Sequence, residues 1–230
     1  MADHLTYIEF LGLPGSGKSF FSHKVAEALR EEGYRIKEPS WELDHVTGKY
    51  SRAFKKTMMA LRYSIKFHRR ARGVNKLIDF SGYKGKEKKR FYRNILYKAY
   101  LLSKPNKAVL MFDEGLAQMA VSLSMNGLRP AKDIYDELSS ILQLNVMPLC
   151  IKIDCDIDKA LQNMELRDVH DSRVEKISSL EERIEMLSLI KKECDSLGIP
   201  GLVGIPFSLE TDAVVARISC HIKASIENKL

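Results

Sequence analysis

The 230-residue chain is 45% apolar, enough to bury the core of one α/β domain. Its four cysteines, Cys150, Cys155, Cys194 and Cys220, form no CxxC pair and no zinc-ligand spacing, which reads as buried, reduced thiols. Nothing approaches the ~20 consecutive apolar residues that span a bilayer, and the N-terminus lacks a basic, cleavable leader, so the expectation is a soluble cytoplasmic protein without a membrane partner.

Net charge is +7, unevenly spread. Residues 43–107 hold 19 Lys and Arg against 3 Asp and Glu; the remainder holds 18 against 27. A basic middle inside an acidic frame reads either as an anion-binding surface or as a solvated helical face.

In chain order, residues 5–11 (LTYIEFL) predict a buried strand. A glycine-rich turn follows over 12–17, then a helix from Lys18 with Phe20, Phe21, Val25, Ala26 and Leu29 near one face, stopped at Gly33. Residues 34–38 predict a short second strand, broken at Pro39. This β-loop-α-β unit implies a parallel sheet with a right-handed crossover, the second strand expected beside the first. The basic middle reads as helical: Met58, Met59, Leu61, Ile65 and Phe67 have helical spacing, as do Phe91, Ile95, Leu96, Ala99 and Leu102. Between them, residues 79–89 read as a lysine-rich loop or frayed helix start.

The αβ rhythm returns with the strand at 108–112 (AVLMF), a helix over 134–144, a strand at 147–153 and a helix over 160–166. After a charged break at 167–173, an amphipathic helix spans 179–197, with Leu180, Ile184, Leu187, Ile190 and Cys194 on one face. A last strand within 198–205 and a closing helix over 211–230 complete the chain. No repeat or linker interrupts residues 1–230, which read as one doubly wound α/β domain of five strands carrying the helical basic insert 43–107.

Gly12-Leu13-Pro14-Gly15-Ser16-Gly17-Lys18-Ser19 matches G-x-x-x-x-G-K-[ST] in full, between a predicted strand and a predicted helix. Glycines let backbone N–H groups converge on phosphate oxygens, and the helix start adds its positive dipole end. Gly12, Pro14, Gly15, Ser16, Gly17, Lys18, Ser19 and Phe20 are the candidate nucleotide-binding residues; Lys18 suits the β- and γ-phosphates and Ser19 a Mg²⁺ ion. Asp113 stands at the carboxyl end of the third strand, where a carboxylate can join the magnesium shell or accept a proton; Glu114 is a second candidate.

Arg167 and Arg173 flank residues 168–172, where two arginines suit the charge that develops on a transferring phosphoryl group. Glu38, at the end of the second strand, could take a proton from an acceptor hydroxyl, and Trp41 could pack on a flat substrate. The aromatics Phe91, Tyr92, Tyr97 and Tyr100 recur at helical spacing and read as core.

These residues together resemble the nucleoside- and nucleotide-kinase branch of P-loop proteins, thymidylate kinases and deoxynucleoside kinases above all. The Gly12-to-Ser19 segment, Glu38-Pro39 with Trp41, Asp113-Glu114-Gly115, the arginines 167 and 173, and the tail with GIPGLVGI carry the likeness. The resemblance implies a three-layer αβα sandwich on a five-stranded parallel sheet, with ATP and Mg²⁺ as the donor. Lys18, Arg167 and Arg173 would then stabilise transferring charge, and Glu38 or Asp113 would orient a small-molecule acceptor, a nucleoside or nucleotide. Three departures stand out: the third strand ends in Asp-Glu-Gly where those enzymes carry an arginine, the segment of Arg167 and Arg173 lacks their denser arginine pattern, and the insert is longer and more basic. A kinase for a sugar or other metabolite is the alternative, as is a nucleic-acid-binding ATPase or polynucleotide 5′-kinase using the basic insert, though no nucleic-acid module is recognisable there. A GTPase is disfavoured because Asn75-Lys76 is followed by Leu-Ile-Asp, one residue too long for N-K-x-D. A homodimer is compatible with the sequence.

Overall fold

A computed structural model describes residues 7–46, 48–105, 108–144, 148–166, 174–207 and 210–227. Strand β1 (Tyr7–Gly12) is buried throughout because both its faces are covered. Ile8 and Phe10 point to a layer formed by α1 (Lys18–Glu31) and α10 (Thr211–Glu227), against Phe21, Val25, Leu29, Ile218 and Ile222. Leu11 points the other way, into a larger core with α6 (Leu116–Ser124), α7 (Ala131–Leu142) and α9 (Leu180–Asp195).

The sheet is five-stranded and wholly parallel: β2 (Ile36–Lys37), β3 (Val109–Phe112), β1, β4 (Leu149–Asp154) and β5 (Leu202–Pro206), in that spatial order. The chain is thus a three-layer αβα sandwich, with helices on both faces of the sheet and a helical basic insert. One expectation is corrected. β2 does not lie beside β1, because β3 takes that place, pairing Tyr7 with Leu110 and Glu9 with Phe112. The reason is burial: Leu110, Met111 and Phe112 are buried apolar residues suited to the centre, whereas β2 has two residues, one an exposed lysine, which suits an edge.

Between β2 and β3 run α2 (Pro39–Val46), α3 (Lys49–Lys66), α4 (His68–Phe80) and α5 (Gly85–Leu102). The lysine-rich run, read as a loop or a helix start, is the latter: it forms the first turns of α5, its lysines largely turned to solvent. Only residues 81–84 form the turn, where Tyr83 is buried edge-on against Phe91 and donates to Ser122 O at 2.8 Å. The apolar spacing expected over Met58 to Phe67 is met in part: Met58 and Met59 are half-buried and Phe67 packs on the core, but Leu61 and Ile65 are exposed, and Ala60 and Tyr63 are buried instead. On α9, Leu187, Ile190 and Cys194 are buried but Leu180 and Ile184 are exposed. Cys220 is exposed too, unlike the other three cysteines, and all four are free thiols. The remaining helix, α8 (Ile157–Glu165), follows β4 and is succeeded, after residues 167–173, by a 3₁₀ turn at Val174–Lys176.

Candidate active site

The loop after β1 folds over the start of α1. Gly15 has φ +83°, and a β-carbon there would lie 2.2 Å from Ala160 O of α8, so this turn admits only glycine. Three hydrogen bonds, one within the loop and one each with α8 and α6, fix the loop. Ser16 N donates to Leu13 O (3.1 Å), Asn163 Nδ2 of α8 donates to Gly15 O (2.8 Å), and Gly12 N donates to Gln118 Oε1 of α6 (3.1 Å). Lys18 is nearly buried, its Nζ donating to the carbonyls of Gly12 (3.1 Å) and Leu13 (2.8 Å), which holds the ammonium across the loop. Ser16 Oγ is buried without a hydrogen-bond partner among the described residues. A buried hydroxyl of that kind in a glycine-rich loop at a helix start fits a phosphate oxygen.

Pairing of β1 with β3 brings Asp113 to the same edge. Ser19 Oγ donates to Asp113 Oδ2 at 2.9 Å, and Asp113 Oδ1 accepts from Glu114 N at 3.0 Å. Among the described residues no three His, Cys, Asp or Glu side chains gather as a metal site of their own. A hydroxyl paired with one carboxylate is the donor set that Mg²⁺ takes when phosphate oxygens and water complete its shell.

Sequence reasoning passed over the group beneath this turn. Glu9 is fully buried, its carboxylate accepting from Ala117 N at the start of α6 (3.1 Å) and from Cys150 Sγ (3.2 Å). Burial pushes the Glu9 carboxyl above the ordinary glutamate range, against the opposing pull of the Cys150 thiol, the backbone amides and Lys98. Burial in turn pushes the Lys98 ammonium down, while Glu114, Asp113 and Glu9 favour its charge. Gly115 is what admits this arrangement, since a β-carbon there would fall 1.5 Å from Glu9 Oε2. Glu9 therefore ties β1 to β4 and to the start of α6, and packs directly against Gly115 of the Asp113-Glu114-Gly115 turn.

A cavity of about 390 Å³ opens from the loop, lined by Pro14, Lys18 and Glu114 at one end. Phe91, Met119, Met125 and Met186 give it an apolar body; Arg90, Asn94, Gln118 and Ser122 add polar groups. The insert thus contributes α5 to the wall, and the aromatic Phe91, expected as core, serves both core and cavity.

The other anticipated residues fall elsewhere. Glu38 is buried at the end of β2, 2.8 Å from Arg30 Nη2 and 3.1 Å from His23 Nδ1, and it does not line the cavity. Burial raises its carboxyl, with His23 and Arg30 opposing. Trp41 stacks on His23, ring centroids 3.7 Å apart, so its face meets a protein ring. Phe20 is half exposed beside the loop, edge-on to Phe21. Arg167 and Arg173 lie outside the described residues.

No family model matches the sequence, and no curated protein does. Among solved structures, the chain is similar to the crystal structure of APE1195, at TM-score 0.51 and 17% identity over 97% of this chain and 98% of that one. A gluconokinase from Sinorhizobium meliloti 1021 aligns over 98% of this chain and 95% of that one, at TM-score 0.47 and 15% identity. The first likeness extends the fold assignment to nearly the whole chain and says nothing of substrate.

Proposed function

We propose that this chain is an ATP- and Mg²⁺-dependent kinase whose acceptor is a nucleoside or nucleotide. The observation that carries the reading is the contact between Ser19 and Asp113 beside Lys18, at the mouth of a largely apolar cavity. Bound ATP-Mg²⁺ would supply the phosphoryl group and neutralise much of its charge. The loop amides and Lys18 would hold its phosphates, Ser19 and Asp113 its metal, and Glu114, which faces the cavity, would orient the acceptor hydroxyl. Arg167 and Arg173 remain, on sequence grounds, the arginines assigned to transferring charge.

The cavity favours a flat heteroaromatic acceptor over a sugar acid. Methionines and a phenylalanine suit an aromatic ring, and two amides suffice to read its edge. A polyhydroxylated acid would leave its hydroxyls against apolar walls, at about 1–3 kcal/mol each. The test is ADP release with Mg²⁺ against nucleosides, nucleoside monophosphates, sugars, sugar acids and a 5′-hydroxyl oligonucleotide. Stimulation by one nucleoside or nucleotide class is expected. Stimulation only by sugars, sugar acids or the oligonucleotide would overturn the acceptor assignment and leave the kinase reading standing.

A further inference from the structure

Helix α3 carries an apolar stripe on its outer side. Tyr50 is 91% exposed, Phe54 66%, Leu61 50% and Ile65 72%, a concentration unlike any other helix among the described residues. At about 100° per residue these four fall within roughly 60° of one another, opposite the buried Ala60 and Tyr63. Lys55, Arg62 and Lys66 are exposed along the adjoining side. From Lys49 to Lys66 there are six basic residues and no acidic one.

We propose that α3 lies on an anionic lipid surface, its stripe among the acyl-chain boundary and its lysines and arginine against the head groups. A helix with a polar, basic side and an aromatic-aliphatic side fits that interface on both counts at once. Self-association fits the stripe but gives the basic row of Lys55, Arg62 and Lys66 no partner, and an antiparallel pairing of two stripes sets the two rows against each other. Nucleic acid accounts for only half of the stripe: Tyr50 and Phe54 offer faces on which a base can stack, Leu61 and Ile65 offer none. No helix among the described residues is long and apolar enough to cross a membrane; lying on one requires only this face. None of the stripe residues lines the candidate active-site cavity, and the proposal does not depend on the kinase reading.

Cosedimentation of the full chain with vesicles of mixed phosphatidylserine and phosphatidylcholine tests it, beside pure phosphatidylcholine vesicles and a single-stranded oligonucleotide. Binding to the mixed vesicles alone is expected, weakening as salt rises. Phe54→Ser/Ile65→Ser and Lys55→Glu/Lys66→Glu should each lower it by about tenfold or more, with circular dichroism melts and ATP binding unchanged because all four side chains are at the surface. The proposal is overturned if the mixed vesicles are not bound, if both double variants bind as the parent does, if the oligonucleotide binds in their place, or if Phe54→Ser/Ile65→Ser converts a parent dimer to a monomer.

Discussion

At the scale of single residues, the candidate site rests on Gly115 and Glu9 as much as on the phosphate loop. Gly115 has no room for a methyl group, since its β-carbon would overlap the Glu9 carboxylate. Gly115→Ala should therefore displace either the turn or Glu9, at a cost of ~3 kcal/mol or more, read as a lower urea midpoint. Glu9 gives a pH signature. Its carboxyl is raised in the fold by burial, so the folded chain holds that proton to higher pH than the unfolded chain does. Stability from this group is fully present below the ordinary glutamate value of 4.5 and is lost as pH rises through the raised folded value. Glu9→Gln should flatten that slope in urea unfolding measured over a pH series; a slope equal to the parent's would mean that Glu9 does not carry the proton. Neither role was legible in the sequence, where Gly115 stands only as the last member of Asp113-Glu114-Gly115. Glu9 reads there as one polar residue in an apolar strand, and only the register with Phe112 and the start of α6 reveals its partners.

At the scale of elements, the motif-bearing pieces were legible and the pieces packed on every side were not. β1, the loop and α1 announce themselves by an apolar run, glycines and helical periodicity. Helix α6 was missed because nearly all its residues are buried, so it shows no polar face and no amphipathic period. Yet α6 supplies Gln118, which lines the cavity and accepts from Gly12 N. Gln118→Ala strands a buried N–H of the phosphate loop, which should lower stability by ~1–3 kcal/mol and raise the acceptor KM. An unchanged KM would detach α6 from acceptor binding. The periodicity of α3 misled in the opposite sense: its apolar spacing is real, but Leu61 and Ile65 face solvent. Periodicity reports that a helix has an apolar side, and only the surrounding fold decides what covers it.

At the scale of the whole molecule, fold class and strand count followed from the αβ rhythm, while strand order did not. Placing β3 between β2 and β1 has a functional consequence, for it brings Asp113 to Ser19 and leaves Glu38 two strands away among Arg30, His23 and Trp41. The central claim is that this pairing makes the metal end of a phosphoryl-transfer site. The most direct measurement is the Mg²⁺ dependence of ATP turnover in the parent, Asp113→Asn and Glu38→Gln, each with its best acceptor. Asp113→Asn should need about tenfold or more Mg²⁺ for half-maximal rate, since removing a group that supports a metal typically costs 10–100-fold in affinity, and Glu38→Gln should follow the parent. An unshifted Mg²⁺ requirement in Asp113→Asn, or the same shift in Glu38→Gln, would contradict the assignment.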